Sequence, residues 1–267
     1  MKLISLNILG GWQFEQLIDF VKTQSQDTDI FCFQEILNTT GTSTNSHGYR
    51  ANILEELKAI LPEYNFIFTI VQKNYDYKGQ LNKELEMGDA TFVKKGFVIE
   101  NHDETYITGN ETSLVEGVPH TIPNKASVVV VNVNGKPLVV CNVHATALPL
   151  DKLDDPNRIE QSQKILDLTN NYEGEKIIVG DFNLYPETKS IKMFEEAGYK
   201  NLINDFKITT TRGSFMRQLH PEYEHGLYGF QEFADYAFIT TGIKIKKFEV
   251  PDVPVSDHLP LIIEFNI

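Results

Sequence analysis

The chain has 267 residues, 41% of them hydrophobic and 23% charged, which excludes disorder and allows a sizeable core without disulfides or a structural metal. Its formal net charge of −13 excludes tight, sequence-blind binding to duplex nucleic acid, where affinity comes from Lys and Arg neutralising phosphates. No run of ~18 apolar residues can cross a membrane, and MKLISLNILGG is too short an apolar stretch for a secretory signal, so a cytoplasmic monomer with no membrane partner is expected.

KLISLNI (2–8) reads as a short strand, followed by Gly10-Gly11 and a helix from Trp12 to about Gln26. In that helix Phe14, Leu17, Ile18 and Val21 recur on one face, and Trp12 is expected to pack as part of it. DIFCFQE (29–35) is a mostly apolar strand ending in polar residues. A loop rich in Gly, Ser, Thr and Asn (38–49) leads to a helix near 50–61, closed by Pro62. NFIFTIV (65–71) and ATFVKK (90–95) are further strands, with a mobile polar loop expected between them. ASVVVVNVNGKPLVVCNVHAT (126–146) is a hairpin: two β-branched runs flank Asn134-Gly135, the preferred type I′ dipeptide. Cys32 and Cys141 lie inside apolar strands and read as buried hydrophobes. A helix over about 156–171, strand KIIVG (176–180), a helix from near Glu187 and strands near 234–240, 243–250 and 260–266 complete the pattern. No repeat, low-complexity tract or linker marks a boundary, so one domain over 1–267 is expected. Hairpins mixed with crossover helices imply an α/β fold with two sheets and helices packed outside.

Several strands end in polar groups that a core has no use for: Asn7, Gln34-Glu35, His144, Asp181 with Asn183, Asp235, and Asp257-His258. Singly, each can cap a helix or start a turn. Together they are hard oxygen ligands and proton carriers suited to metal-assisted phosphoryl chemistry. In IIVGDFNLYP (177–186), strand alternation puts Asp181 and Asn183 on one face, and Gly180 leaves room for substrate. Asp181 can then take a proton from water while Asn183 donates to a phosphoryl oxygen. In VSDHLPL (255–261), Asp257 and His258 are expected on opposite sides of an extended backbone, one for a metal and one for the scissile phosphate. Asp235 is the candidate to orient His258.

In this order, LNILGG, FQE, NVHAT, VGDFNLYPET, ADYAFIT and VSDHLPLIIEF resemble the successive motifs of the endonuclease/exonuclease/phosphatase superfamily. The resemblance runs from about residue 1 to 267 and is carried most specifically by GDFN and SDHLP. It implies a four-layer α/β sandwich, two mixed β-sheets packed face to face with helices outside. It also implies hydrolysis of a phosphate ester with Mg2+, or Mn2+ in its place. Glu35 would be the principal metal ligand, with Asn7 and Asp257 close to the metal. Asp181 would activate water, Asn183 and His144 would hold phosphate oxygens, and His258, oriented by Asp235, would stabilise the transition state. Leu9 stands where some abasic endonucleases carry an acid, so a ligand set relying on that position is excluded. A partner acid for His144 is expected at either Glu86 or Asp89.

Arg212, in a loop, could bind substrate phosphate through its fork or be solvated. Tyr223, His225, Tyr228, Phe230 and Phe233 could stack on a ring, though packing of a long loop is the preferred reading. His47, His102, His120 and His220 read as surface residues. The expected activity is a phosphodiesterase, nuclease-like, on a phosphoester substrate that can include weakly bound nucleic acid. A phosphomonoesterase acting on a small metabolite is the alternative, and a non-catalytic binding module is the rival class. An inositol polyphosphate phosphatase would want a basic cluster, for which only Lys125, Arg158 and Arg212 are visible.

Overall fold

The computed structural model of the protein describes residues 1–39, 48–76, 81–118, 121–214 and 229–267. The first half runs β1 (Lys2–Asn7), a 3-10 turn (Leu9–Gly11), α1 (Phe14–Gln24), β2 (Ile30–Thr39), α2 (Ile53–Ile60), β3 (Tyr64–Tyr75), β4 (Leu81–Lys94) and β5 (Val98–Thr108). The second runs β6 (Asn124–Val133), β7 (Lys136–His144), α3 (Pro156–Asn170), β8 (Glu175–Asp181), α4 (Lys189–Glu196), β9 (Lys200–Asn201), α5 (Leu202–Asp205), β10 (Asp235–Ile239), β11 (Lys244–Glu249) and β12 (Leu261–Asn266).

The strands form two mixed sheets of six, in the orders β11-β12-β1-β2-β4-β3 and β5-β6-β7-β8-β10-β9. Alternation along each strand divides its side chains between two layers of core. Leu3, Cys32, Val93 and Ile263 of the first sheet meet Val128, Val130, Cys141 and Ile178 of the second. On its other face, Ile4, Leu6, Phe31 and Phe33 pack under Leu17, Val21, Ile53 and Leu57 of α1 and α2. Ile165 and Leu166 of α3 and Ile191 and Phe194 of α4 join the core over the second sheet. This is the expected four-layer sandwich, helix–sheet–sheet–helix. Both cysteines are buried free thiols, and burial pushes Cys32 up to about 12, so it behaves as a small hydrophobe.

The sequence-based elements hold with five corrections. Asn134 and Gly135 both have positive φ, 54° and 84°, as their hairpin turn requires. The polar stretch expected as a loop before 90 is largely strand: β3 runs on to Tyr75, and β4 starts at Leu81 and pairs with it through two register shifts. Strand β5 was not legible, because at a sheet edge it exposes residues on both faces and shows no alternation. Trp12 precedes α1 rather than packing in it and is 40% exposed. Strand β2 continues past Glu35 to Thr39. Gly180 serves the sheet, not a substrate: at φ 136°, a Cβ there would lie 2.0 Å from the Val143 carbonyl oxygen on β7. His47, His120, His220, Tyr223, His225 and Tyr228 lie outside the described residues, while His102 is exposed as expected.

Candidate active site

Topology gathers the polar strand ends at one edge of the sandwich. Strands β1 and β2 are parallel, as are β7 and β8, so Asn7, His144 and Asp181 finish on the same side. Strand β10 is antiparallel to β8 and opens there, with Asp235 opposite Asp181. Strand β12 is antiparallel to β1, which places the preceding Asp257-His258 segment at that edge too.

Glu35 reaches the site by a β-bulge in mid-strand rather than at a strand end. The β2–β4 register slips between Phe33 and Ile36, and Glu35 takes φ 58°, a left-handed conformation costly for a non-glycine. The bulge separates the Gln34-Glu35 pair. Gln34 turns into the inter-sheet core, where its Nε2 donates to Asn142 Oδ1 at 2.6 Å, while Glu35 turns to the cleft. Its backbone N–H donates to Asp89 Oδ1 at 3.3 Å.

Asn7 Nδ2 donates to Glu35 Oε1 at 2.9 Å and to Asp181 Oδ2 at 3.1 Å, and its Oδ1 accepts from Leu9 N at 3.0 Å. Burial raises the Glu35 carboxyl, the His144 charge opposes it, and Asp257 adds repulsion, for a net upward shift. Burial also pushes Asp181 up, but the charges of His258, His144, Lys152 and Arg212 outweigh it and hold Asp181 below the ordinary carboxylate range. Asp181 is therefore ionised at neutral pH.

His144 stands among three acids: its Nδ1 is 3.6 Å from Asp89, and its Nε2 is 3.8 Å from Glu35 and 4.0 Å from Asp181. Burial lowers its pKa, but Asp89, Asp181 and Glu35 together lift it to about 10, so it is a cationic donor. Asp89 is thus the partner acid. Glu86 is committed elsewhere, to Asn38 at 2.9 Å and Lys73 at 3.3 Å.

His258 Nδ1 lies 2.8 Å from Asp235 Oδ2, and its Nε2 lies 3.5 Å from Asp181 and 3.7 Å from Asp257. Thr211 Oγ1 accepts the backbone N–H groups of Ala234 and Asp235 and so fixes Asp235. Burial and Arg212 lower His258, but Asp235, Asp257 and Asp181 leave it above its usual value. Asp257 and His258 do not point to opposite sides, as an extended backbone would require. Asp257 sits at a bend and His258 in a β-bridge to Arg212 before β12, and both enter the cleft.

Arg212 is not a solvated loop residue. Segments 211–213 and 257–259 pair through Leu259 N to Thr211 O at 2.9 Å and Gly213 N to Asp257 O at 2.8 Å. Its Nη2 donates to Asp257 Oδ2 at 2.7 Å, and its Nη1 donates to His258 Nε2. That last contact needs a neutral imidazole with its proton on Nδ1, so Nε2 is the atom a second proton would join. Burial pushes Asp257 up, but Arg212 and then His258 hold it below the usual carboxylate range.

Strand alternation does not place Asn183, because β8 ends at Asp181 and Asn183 has φ 51°. Its backbone N–H donates to Asp181 Oδ1 at 2.9 Å and its amide to Ala145 O at 3.2 Å. It still sits beside Asp181, held by a turn. Of the expected basic residues, only Arg212 belongs to the site. Lys125 pairs with Glu104 at 2.5 Å, and Arg158 is buried against loop carbonyls at Leu153 and Pro149. Sequence reading missed Asp89 as the settled partner and Lys152 altogether.

The donor set suits a hard divalent cation. Glu35 and Asp257 carry like charge in a buried cleft, and Glu35 is raised by that environment, which a bound cation would relieve. Asp181, Asp235 and His258 also offer ligand atoms within 4.8 Å of one another, though Asp235 and Arg212 already engage the His258 nitrogens. The cleft floor is dry and its rim is wet: Asp181, Asp235 and His258 side chains are 2–4% exposed, against 16–20% for Glu35, His144 and Arg212.

The model of the Endonuclease/Exonuclease/phosphatase family matches residues 4–258. The fold is similar to an endonuclease/exonuclease/phosphatase from Bacteroides vulgatus, at 19% identity and TM-score 0.70, covering 100% of this chain and 98% of that one. It is similar to a mannosyl-6-phosphatase from Bacteroides thetaiotaomicron, at 17% identity and TM-score 0.68, covering 100% of each chain. The catalytic domain of human Nocturnin follows, at 16% identity and TM-score 0.64, covering 100% and 93%. No curated protein sequence matches the chain. At such identities the solved structures speak for the fold, and the family model speaks for descent: the chain belongs to the Endonuclease/Exonuclease/phosphatase family.

Proposed function

We propose that this protein is a metal-dependent hydrolase of phosphate esters, using Mg2+ or Mn2+ held by Glu35 and Asp257 with Asn7 beside them. One observation carries the reading. Asp181 Oδ2 lies 3.1 Å from Asn7 Nδ2, 3.5 Å from His258 Nε2 and 4.0 Å from His144 Nε2, so groups from both sheets face one point. When bound, the cation supplies Lewis-acid charge to the phosphoryl oxygens.

The chain's own residues divide the remaining work. Ionised Asp181 orients the attacking water and takes its proton. Cationic His144 donates to a non-bridging oxygen as charge builds there, with Asp89 keeping it protonated. His258 is held through Nδ1 by Asp235 with Nε2 against Arg212 Nη1, and a second proton on Nε2 would exchange that contact for donation to the reacting phosphate. Asn183 keeps its amide beside Asp181, where a second donor can meet the phosphate.

The substrate is a small ester rather than duplex nucleic acid, because a net charge of −13 repels a polyanion. A diester and a monoester both fit the acid–base groups. Beside cationic His144, two further site cations, Arg212 and Lys152, favour the more highly charged monoester, and a structurally similar protein is a mannosyl-6-phosphatase. Hydrolysis of p-nitrophenyl phosphate and bis-p-nitrophenyl phosphate with Mg2+ or Mn2+ tests the reading. Activity on at least one ester, lost in EDTA, is expected; no metal-stimulated turnover of any phosphoester contradicts it.

A further inference from the structure

Among the described residues, Lys152 is the one buried lysine near the cleft, and nothing in its local sequence marks it out. It lies in the loop between β7 and α3, is 5% exposed, and is within electrostatic reach of Asp181, Asp235, Asp257 and Arg212. Among the described residues its ammonium makes a single hydrogen bond, to Phe233 O at 2.9 Å, and no ion pair. An ammonium carries three donors and loses its hydration on burial, so two donors are left for something else.

The loop is built to hold it there. Lys152 has φ 55°, an uncommon left-handed conformation for a non-glycine residue. Its carbonyl accepts from Tyr185 N at 3.1 Å, in the segment that follows Asp181 and Asn183. Arg158, itself 1% exposed, clamps the same loop by donating to Leu153 O at 2.6 Å, to Asp151 Oδ1 at 3.2 Å and to Pro149 O. A buried arginine fixing the loop, and a buried lysine turned inward by it, are features that a solvated linker would not carry.

We infer that Lys152 is a phosphate-binding residue: with Arg212 it adds to the His144 cation the positive charge that selects a terminal phosphate dianion over a singly charged diester. This rests on the phosphoester hydrolase reading and narrows its substrate class to phosphomonoesters. Burial pulls the Lys152 ammonium down to about 8, with Arg212 adding to the effect and the three aspartates opposing it, as befits a cation awaiting an anion.

The experiment compares wild type with Lys152→Gln, which keeps a donor for Phe233 O but no charge, and with Lys152→Arg, which keeps the charge. Inorganic phosphate binding in the presence of Mg2+ is measured by calorimetry at pH 7, beside kcat/KM on p-nitrophenyl phosphate and its bis-ester. Lys152→Gln is expected to bind phosphate at least about tenfold more weakly, the loss of a charge-assisted hydrogen bond. It should also lose activity on the monoester more than on the diester, with Lys152→Arg restoring part of both. Unchanged phosphate affinity and an unchanged monoester-to-diester ratio in Lys152→Gln overturn the inference, even if only its Tm falls. A Lys152→Gln protein that does not fold leaves Lys152→Arg and wild type to decide, since a phosphate-indifferent wild type overturns it as well. Failure here with metal-dependent turnover intact leaves the hydrolase reading standing; absence of turnover with Lys152-dependent phosphate binding removes that reading and the substrate class with it, and leaves the phosphate site.

Discussion

Asn7, at the end of β1, donates its amide hydrogens to Asp181 on β8 at 3.1 Å and to Glu35 on β2 at 2.9 Å, so one carboxamide ties carboxylates of both sheets together. Its own orientation is fixed by Leu9 N on Oδ1. Like charges in a dry cleft repel, and a neutral donor between them is what lets both stay close. Asn7→Ala is therefore expected to lower kcat/KM by about 10- to 100-fold and to weaken Mn2+ binding, with the fold intact by circular dichroism. Unchanged metal affinity would show that Asn7 does not hold the acids.

Asp89 keeps His144 charged. In metal-free protein the His144 imidazole should titrate at about 10 by NMR, and Asp89→Asn should lower that value clearly. The sign for stability follows from the direction of the shift. A histidine raised from 6.5 to about 10 by its acidic partners contributes stability that is complete below 6.5 and lost as pH rises through about 10. The Tm difference between metal-free wild type and Asp89→Asn should accordingly shrink towards high pH. A difference that grows with pH would contradict the pairing.

Asp235 and His258 act as one unit through their 2.8 Å contact. Asp235→Ala and His258→Ala should each reduce kcat by about 100- to 10,000-fold, and the double variant should cost little more than His258→Ala alone. Multiplicative losses in the cycle would mean that Asp235 has a role of its own.

Much of this was legible because apolar strands that stop on Asn, His or Asp announce themselves: Asn7, His144, Asp181 and Asp235 all sit where the pattern put them, at strand ends or openings. What escaped depends on register or turns. The Glu35 bulge exists only because β2 slips against β4. The choice of Asp89 over Glu86 follows from which of two β4 residues lies beside that bulge. Asp257 and His258 share the cleft because their segment turns, which an adjacent pair read as strand does not reveal. Lys152 lies in LPLDKLDD, a loop with no periodicity, and nothing local distinguishes it from a solvated lysine.

Asp181 is the group on which the chemistry converges, ionised, 2% exposed and within 4.0 Å of both histidines. The initial rate of p-nitrophenyl ester hydrolysis by Asp181→Ala at saturating Mg2+, beside wild type, tests this most directly. A loss of about 1,000-fold, with metal binding and Tm near those of wild type, is the predicted result. An Asp181→Ala enzyme that turns over its ester at the wild-type rate would contradict it.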